Sequence, residues 1–307
     1  MKSKKVAIVI TTYNQSDLLF KCLNSIKSKT TYKNYKVYFV DDGSKIQIGN
    51  EIKKKYPWVN VSINQNNLGF SKANNIGIKN ALESYNPDYV LLLNDDTEII
   101  QSNWLNKLIK TGESSKKIGI LGCKLVYEDL SMQNAGGFIN KWEITKLLRF
   151  KRNELVKVDH VMGAFMLIKR SVINKIGLLD EIYTPYLLED TDFCLRAKRA
   201  GFEVVSDTSV TIIHKKGKTI NSLKSRKSIF IRFKNDIIFS LKNLSFSSAL
   251  FRIFIYLPLV CILKKKRDED SLKFSNFQLK RDFIINLFIL LSAFPYSLFK
   301  YLISSNE

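Results

Sequence analysis

Residues 90–98 read VLLLNDDTE, four apolar side chains running without a break into Asn94, Asp95 and Asp96. A run this apolar has no polar face to offer water. It therefore suits a strand covered on both sides, as in a parallel sheet sandwiched by helices. It stops at two carboxylates, which puts charge at the strand's C-terminal end, the edge where open α/β sheets bind ligands. Hard oxygen donors in such a crevice suit Mg2+ or Mn2+ held through the phosphates of a nucleotide. Asn and Asp are also ordinary turn residues. On this stretch alone, a turn and a metal site are equally good readings.

The preceding residues set the context. Residues 6–10 (VAIVI) are another buried-strand candidate, followed by TTYNQ. Leu18, Leu19, Cys22, Leu23 and Ile26 then recur at helical spacing behind Ser16, an N-cap candidate. Residues 37–40 (VYFV) end in Asp41, Asp42, Gly43 and Ser44, and a helix over 49–56 leads to a short strand near 61–63. Strand, helix, strand, helix, strand predicts a doubly wound α/β sheet. In residues 66–79 (NNLGFSKANNIGIK), Gly69 precedes a helix with Ala73, Ile76 and Ala81 on one stripe. Such a turn can offer N–H groups to a phosphate, although a glycine there is more often only geometry. Neither GxGxxG nor GxxxxGK[ST] occurs, which argues against a dinucleotide fold and a P-loop.

Further on, 104–109 reads as a helix and 118–125 as a strand. Residues 127–159 contain Gly136 and Gly137 but no steady period, and read as an irregular excursion, a lid or acceptor loop. Residues 163–168 return to strand-like apolarity, and 169–176 read as a short helix ending at Gly177. LEDTD (188–192) precedes a helix over 193–200, and two strand candidates, 204–205 and 210–213, lead to His214.

Taken in order, VAIVITTYNQ, VYFVDDGS, NLGFSKANNIG, LLLNDDTE, GAFMLIKRSVINKIGLLDE and EDTDFCLRAKRAGF, followed by His214, resemble the family 2 glycosyltransferases, in particular a rhamnosyltransferase-like bacterial branch. The resemblance covers roughly residues 6–243. It implies a GT-A fold, a Rossmann-like, mostly parallel sheet flanked by helices, and inverting transfer of a sugar from a nucleotide-diphosphate donor. On the donor side it implies Thr11 and Tyr13 against the base. Asp41 would accept a hydrogen bond from the base, which favours uracil or thymine. Asn67, Gly69 and Asn75 would surround ribose and diphosphate, with Asp95 close by. Asp96 and His214 would hold Mn2+ or Mg2+, and Asp190 would be the general base. Gly163, Ala164, Phe165 and Glu189 would border the transferred sugar and acceptor. Asn94 occupies the first place of the usual D-x-D, which leaves Asp96 as the firm metal candidate.

The chemistry asks for the same residue types. A departing diphosphate develops charge that a cation neutralises, and an attacking hydroxyl needs a base. Repulsion among Glu189, Asp190 and Asp192 would raise one of their pKa values. Blander roles stand beside these. Asp190 and Asp192 suit capping of the helix over 193–200, with capping alone the reading for Asp192. His214 suits a strand end and His160 a structural site. Asp42 suits a turn, and Lys72, Arg196 and Arg199 suit solvated or ion-paired helix faces.

Net charge is +21, and the last 92 residues carry 17 of the 49 basic and 6 of the 28 acidic side chains, hence +11 of that excess. An anionic partner for the tail follows. Residues 246–263 and 283–303 approach the roughly 20 apolar residues of a spanning helix, but Arg252, Pro258, Pro295 and Lys300 interrupt them. Nucleotide sugars are cytosolic, and a spanning hairpin would put Lys264, Lys265, Lys266, Arg267, Lys280 and Arg281 outside, against the positive-inside tendency. The expectation is a catalytic domain over 1–243 and a helical tail over 244–307. That tail would lie on the anionic cytoplasmic surface of the cell membrane, peripheral rather than spanning. The tail also suits packing on the core or on a second subunit. The substrates expected are a nucleotide-diphosphate sugar and a glycan or lipid-linked acceptor. The alternatives are a basic nucleic-acid-binding protein and a catalytically silent scaffold. No nucleic-acid module is recognisable, and nucleic acid is not an expected partner. Cys22, Cys123, Cys194 and Cys261 are scattered and read as apolar fillers.

Overall fold

The computed structural model describes residues 3–46, 48–139, 146–147, 153–215, 225–262 and 279–304. Four strands, β1 (Val6–Thr12), β2 (Tyr35–Asp41), β3 (Val59–Ile63) and β4 (Tyr89–Asn94), run parallel in the spatial order β4-β1-β2-β3. Their side chains divide by the two-residue period of a strand. Val6, Ile8, Ile10, Leu91 and Leu93 pack on one face with Leu19, Cys22, Leu23 and Ile26 of helix α1 (Asp17–Lys29). Ala7, Val9, Val90 and Leu92 pack on the other with Ile78 and Ala81 of α3 (Phe70–Tyr85). The apolar run of β4 is thus covered on both faces. Helix α2 (Ile48–Lys55) joins β2 to β3, and β5 (Thr97–Ile99) leads to α4 (Trp104–Glu113).

The sheet continues on the far side of β4. β6 (Ile118–Val126) is followed by β7 (Met132–Asn134), which pairs back on it, and by a small ribbon of β8 (Gly137–Phe138) with β9 (Lys146–Leu147). β10 (Leu155–Lys157) and β11 (Phe165–Lys169) complete this stretch. Residues 127–159 therefore carry more order than their lack of period predicts; residues 140–145 and 148–152 lie outside the described residues. β11 runs antiparallel between β4 and β6. Direction leaves no mark in an apolar run, so the antiparallel insert is not visible in composition.

Helix α5 (Arg170–Ile176) ends at Gly177 as expected, with φ +76°. Helix α6 (Glu189–Arg199) begins four residues before the predicted start, behind Leu188 in the left-handed region (φ +74°). Asp190 and Asp192 consequently lie inside its first turn and are not its N-cap. The two strand candidates before His214 are one strand, β12 (Glu203–His214), parallel to β6 with a register shift between Asp207 and Thr211.

The C-terminal helices are α7 (Arg226–Asn243), α8 (Phe246–Phe251), a π-helical stretch Arg252–Tyr256, α9 (Leu257–Ile262) and α10 (Leu279–Ser304). They have a hydrophobic cluster of their own, in which Ile229, Phe233 and Ile237 of α7 meet Ile253, Leu257, Leu290 and Ala293. Arg252, a charge inside an apolar segment, is buried and makes a bidentate pair with Asp236 (2.7 and 2.8 Å), which satisfies both ions. Among the described residues one helix, Ile285–Ser304, is long and apolar enough to cross a membrane, with mean hydropathy 1.5. The basic residues 264–267 lie outside the described residues.

Candidate active site

The site lies at the C-terminal ends of β1, β2 and β4. Asp95 and Asp96 form the turn between β4 and β5, and β5 pairs antiparallel with the end of β12 so that Thr97 faces His214. This register brings the His214 Nε2 to 3.2 Å from the Asp96 Oδ1, both side chains buried. On the other ring nitrogen, Nδ1 stands 2.6 Å from the Gln133 Oε1. Two ligands about 2.1–2.2 Å from a hard divalent cation, on adjacent octahedral corners, stand about 3 Å apart. The Asp96–His214 separation fits that geometry. Among the described residues no group of three or more His, Cys, Asp or Glu converges. The remaining corners would fall to phosphate oxygens and water, as Mg2+ and Mn2+ accept.

Asp95 turns away from this pair and meets the Thr12 hydroxyl. Burial, and secondarily the charge of Asp96, push its carboxyl up to about 7. One carboxylate of the doublet thus faces the imidazole while its neighbour resists ionisation. The same surroundings push the Cys22 thiol up to about 12, chiefly through burial.

The base candidate is linked to this turn through the two residues that precede β11. The Asn94 N–H donates to the Ala164 carbonyl (3.0 Å), and the Gly163 N–H donates to the Asp190 Oδ2 (2.7 Å). Asp190 Oδ1 accepts from the Thr191 N–H (2.6 Å) and hydroxyl (3.1 Å). A Cβ on Gly163 would stand 3.1 Å from the Phe70 ring and 3.4 Å from the Asp190 Cβ, so this corner tolerates little bulk. Phe165 is fully buried in the core beside Leu93. Glu189 is buried with its Oε2 unpartnered; burial, then the adjacent Asp190 charge, hold its carboxyl well above the usual range.

On the donor side, Thr11 and the exposed Tyr13 stand at the end of β1. Asp41 is fully buried, and its oxygens accept from the Ser44 N–H (3.0 Å) and Gly49 N–H (2.9 Å). Both oxygens are thus engaged by backbone N–H groups of the protein itself. Asp42 is the anchor of the Gly69 turn, accepting from the Leu68 and Gly69 N–H groups (3.0 and 2.9 Å). Gly69 (φ +86°) presses on Pro185, and the Phe70 N–H donates to the Pro185 carbonyl (2.7 Å). Asn67 is exposed on that turn.

Asn75 departs from its expected role: its amide exchanges hydrogen bonds with the Leu179 backbone (2.9 and 3.1 Å) and donates to Glu181 (3.1 Å). These bonds tie it to the loop before α6. Asn74, which spacing did not single out, points toward Thr11 (3.4 Å). Lys72 pairs loosely with Glu181 (3.8 Å), and His160 is buried, held below the ordinary histidine value by that burial. Arg196 pairs with Asp192 (2.8 Å). Gln133 is the residue that sequence reasoning missed altogether.

Residues 7–177 match the family model described as "Glycosyl transferase family 2". A low-salt glycan biosynthesis hexosyltransferase, Agl10, of Haloferax volcanii is 29% identical over 191 residues, which is 61% of this chain and 61% of that protein. The O-antigen biosynthesis protein RfbC of Myxococcus xanthus is 24% identical over 68% of this chain but only 17% of its own length. The chain thus spans less than two thirds of either relative. Among solved structures, GalNAc-T7 with UDP, GalNAc and Mn2+ has a TM-score of 0.58 at 16% identity, over 78% of this chain and 51% of that one. The mannosyltransferase PcManGT of Pyrobaculum calidifontis, in complex with GDP-Man and Mn2+, also has a TM-score of 0.58, at 13% identity over 84% and 72%. These two likenesses are of fold.

Proposed function

The chain belongs to glycosyl transferase family 2, and from that premise we propose that it is an inverting glycosyltransferase. Its donor is a UDP- or dTDP-sugar, and its acceptor is a hydroxyl of a cell-surface polysaccharide or lipid-linked glycan, as in the rhamnosyltransferase-like branch. The observation that carries this reading is the pairing of Asp96 with His214 at one end of a hydrogen-bonded path through Asn94, Ala164 and Gly163, with Asp190 at the other.

The residues divide the work as follows. Asp190 accepts the proton of the acceptor hydroxyl as that oxygen attacks the anomeric carbon. The bond from that carbon to the diphosphate breaks, and its electron pair leaves with the nucleotide. The Gly163 N–H holds the Asp190 Oδ2 in place. A divalent cation, when bound by Asp96 and His214, neutralises charge on the leaving diphosphate. Tyr13, Thr11 and the Asn67–Gly69 turn border the nucleotide, and Gly163 and Ala164 border the sugar.

The catalytic domain of this reading ends near residue 243, and the helices beyond it rest on an anionic membrane surface at its cytoplasmic side. Support comes from the apolar side chains that α8–α10 leave exposed, among them Phe246 (80%), Phe288 (66%) and Phe299 (62%), together with the tail's positive charge. Washing membranes with carbonate or high salt should release the protein; retention would mean that it spans.

The central test is thermal stabilisation and turnover with a panel of UDP- and dTDP-sugars, each with Mn2+ and Mg2+. Asp190→Asn should abolish turnover and keep donor binding, whereas Asp96→Ala should lose metal-dependent donor binding. No shift with any nucleotide, or full activity in Asp96→Ala, would remove the reading.

A further inference from the structure

Gln133 is buried on β7, and both ends of its amide engage one residue. Its Nε2 donates to the His214 backbone carbonyl (3.1 Å), and its Oε1 stands 2.6 Å from the His214 Nδ1. A backbone carbonyl can only accept, so the first contact fixes which end of the amide is the NH2. Reversing the amide would set oxygen against oxygen at the carbonyl. The Oε1 that faces the ring has no hydrogen to give, so Nδ1 must carry the proton. Nε2, the nitrogen 3.2 Å from Asp96, is then the atom left to present a lone pair.

The strand pairing explains how Gln133 reaches this position. β7 pairs with β6 as Leu125 to Asn134 and Val126 to Met132, so Gln133 is the extra residue at a register shift. A bulge of this kind turns a side chain out of the regular alternation, and such bulges re-aim residues beside active sites. Here it aims the amide at the end of β12.

We propose that Gln133 is the positioning residue that fixes the His214 tautomer, with Nδ1 protonated and Nε2 free to join Asp96 in holding a divalent cation. This rests on the metal reading of Asp96 and His214. Outer partners of metal-binding imidazoles act in this way by orienting the ring and fixing its proton, and their loss typically weakens metal affinity about 10–100-fold.

The test is titration of the full chain with Mn2+, alone and with excess UDP, followed by the electron paramagnetic resonance of free Mn2+. Gln133→Leu, which keeps bulk and removes both polar contacts, should weaken binding about 10–100-fold. Gln133→Glu, which keeps an acceptor for Nδ1–H but sets its second oxygen against the His214 carbonyl, should restore part of it. In a His214→Ala background, Gln133→Leu should change nothing further. An equal loss with and without His214 would mean a merely structural role and overturn the proposal, as would wild-type affinity in Gln133→Leu. Should His214→Ala itself bind Mn2+ like the wild type, the metal reading fails and this proposal with it. A weakened His214→Ala beside an unaffected Gln133→Leu sinks this proposal alone. A second readout needs no variant: the chain has two histidines, and 15N spectra of the metal-free protein should show His214 protonated at Nδ1. A proton on Nε2 alone would refute the assignment even if Gln133→Leu failed to fold.

Discussion

Asp192→Asn exchanges one oxygen for an amide nitrogen at a side chain with no exposure to solvent, and the structure predicts a large loss of stability with little direct effect on chemistry. Oδ1 accepts from the Tyr183 hydroxyl (3.1 Å) and the Asn243 Nδ2 (2.9 Å), while Oδ2 accepts from the Arg196 Nε (2.8 Å). An asparagine NH2 in either place sets donor against donor. Breaking one side of a buried ion pair costs about 3–5 kcal/mol. Arg196 keeps the carbonyls of Ile176 and Leu178 and is partly exposed, so the lower end, about 3 kcal/mol, applies. For a chain of this size that is a fall of roughly 5 °C in Tm. Circular dichroism melting measures it, with turnover per folded molecule followed at a temperature well below the transition. A Tm within about 2 °C of wild type together with abolished turnover would refute the reasoning, because Asp192 would then act on the substrate rather than hold α6 in place.

Other perturbations separate the remaining roles. Gly69→Ala forces a backbone region that is essentially glycine-only, costing about 1–3 kcal/mol, and sets a methyl 2.7 Å from the Pro185 carbonyl. Melting temperature and turnover should both fall; an unchanged pair would show that the turn can relax. Burial pushes the Lys234 ammonium down to about 8. Between that value and the ordinary lysine range the unfolded chain holds more protons, so this group makes stability rise with pH through that window. Urea melts of Lys234→Met across pH 8–10 should rise less steeply than wild type, and parallel curves would exclude the effect. A Phe288→Ser/Phe299→Ser double variant should lose several-fold in sedimentation with anionic vesicles at unchanged Tm; equal sedimentation would count against the proposed membrane face.

The parts legible in the sequence were those fixed by local pattern. VAIVI, VYFV and VLLL declare buried strands because both faces are covered, which leaves no polar position to blur the signal. Gly177 marks a helix end because its φ of +76° suits glycine. Non-local arrangements left no such mark. LEDTD resembles a cap, yet its carboxylates turn to Gly163, Tyr183 and Asn243 once α6 and α7 pack, and the helix starts earlier behind Leu188. Asn75 is singled out by the family resemblance alone, and nothing local in the sequence foretells that Leu179 approaches its amide. Gln133 was invisible because the register shift that aims it also erases the strand's alternation. Asp96 lies in the turn between β4 and β5 and His214 ends β12; only the pairing of β5 with β12 makes them neighbours.

Helix α7 ties the loop before Asp190 to the C-terminal helices. On one side Ile238 and Phe239 pack against Tyr183 and Leu188, while the Asn235 Nδ2 donates to the carbonyls of Tyr183, Tyr186 and Leu187. Three carbonyls on one amide hold the loop that leads directly into Glu189 and Asp190. On the other side, Ile229, Phe233 and Ile237 pack against α9, α10 and the π-helical stretch, and the Ser297 hydroxyl of α10 donates to the Lys234 carbonyl. Close-packed interiors transmit displacement instead of absorbing it. Helix α7 stands in direct contact with both α10 and the loop before Asp190. If α8–α10 rest on a membrane as proposed, the orientation of the chain there and the placement of Asp190, its proposed base, depend on the same helix.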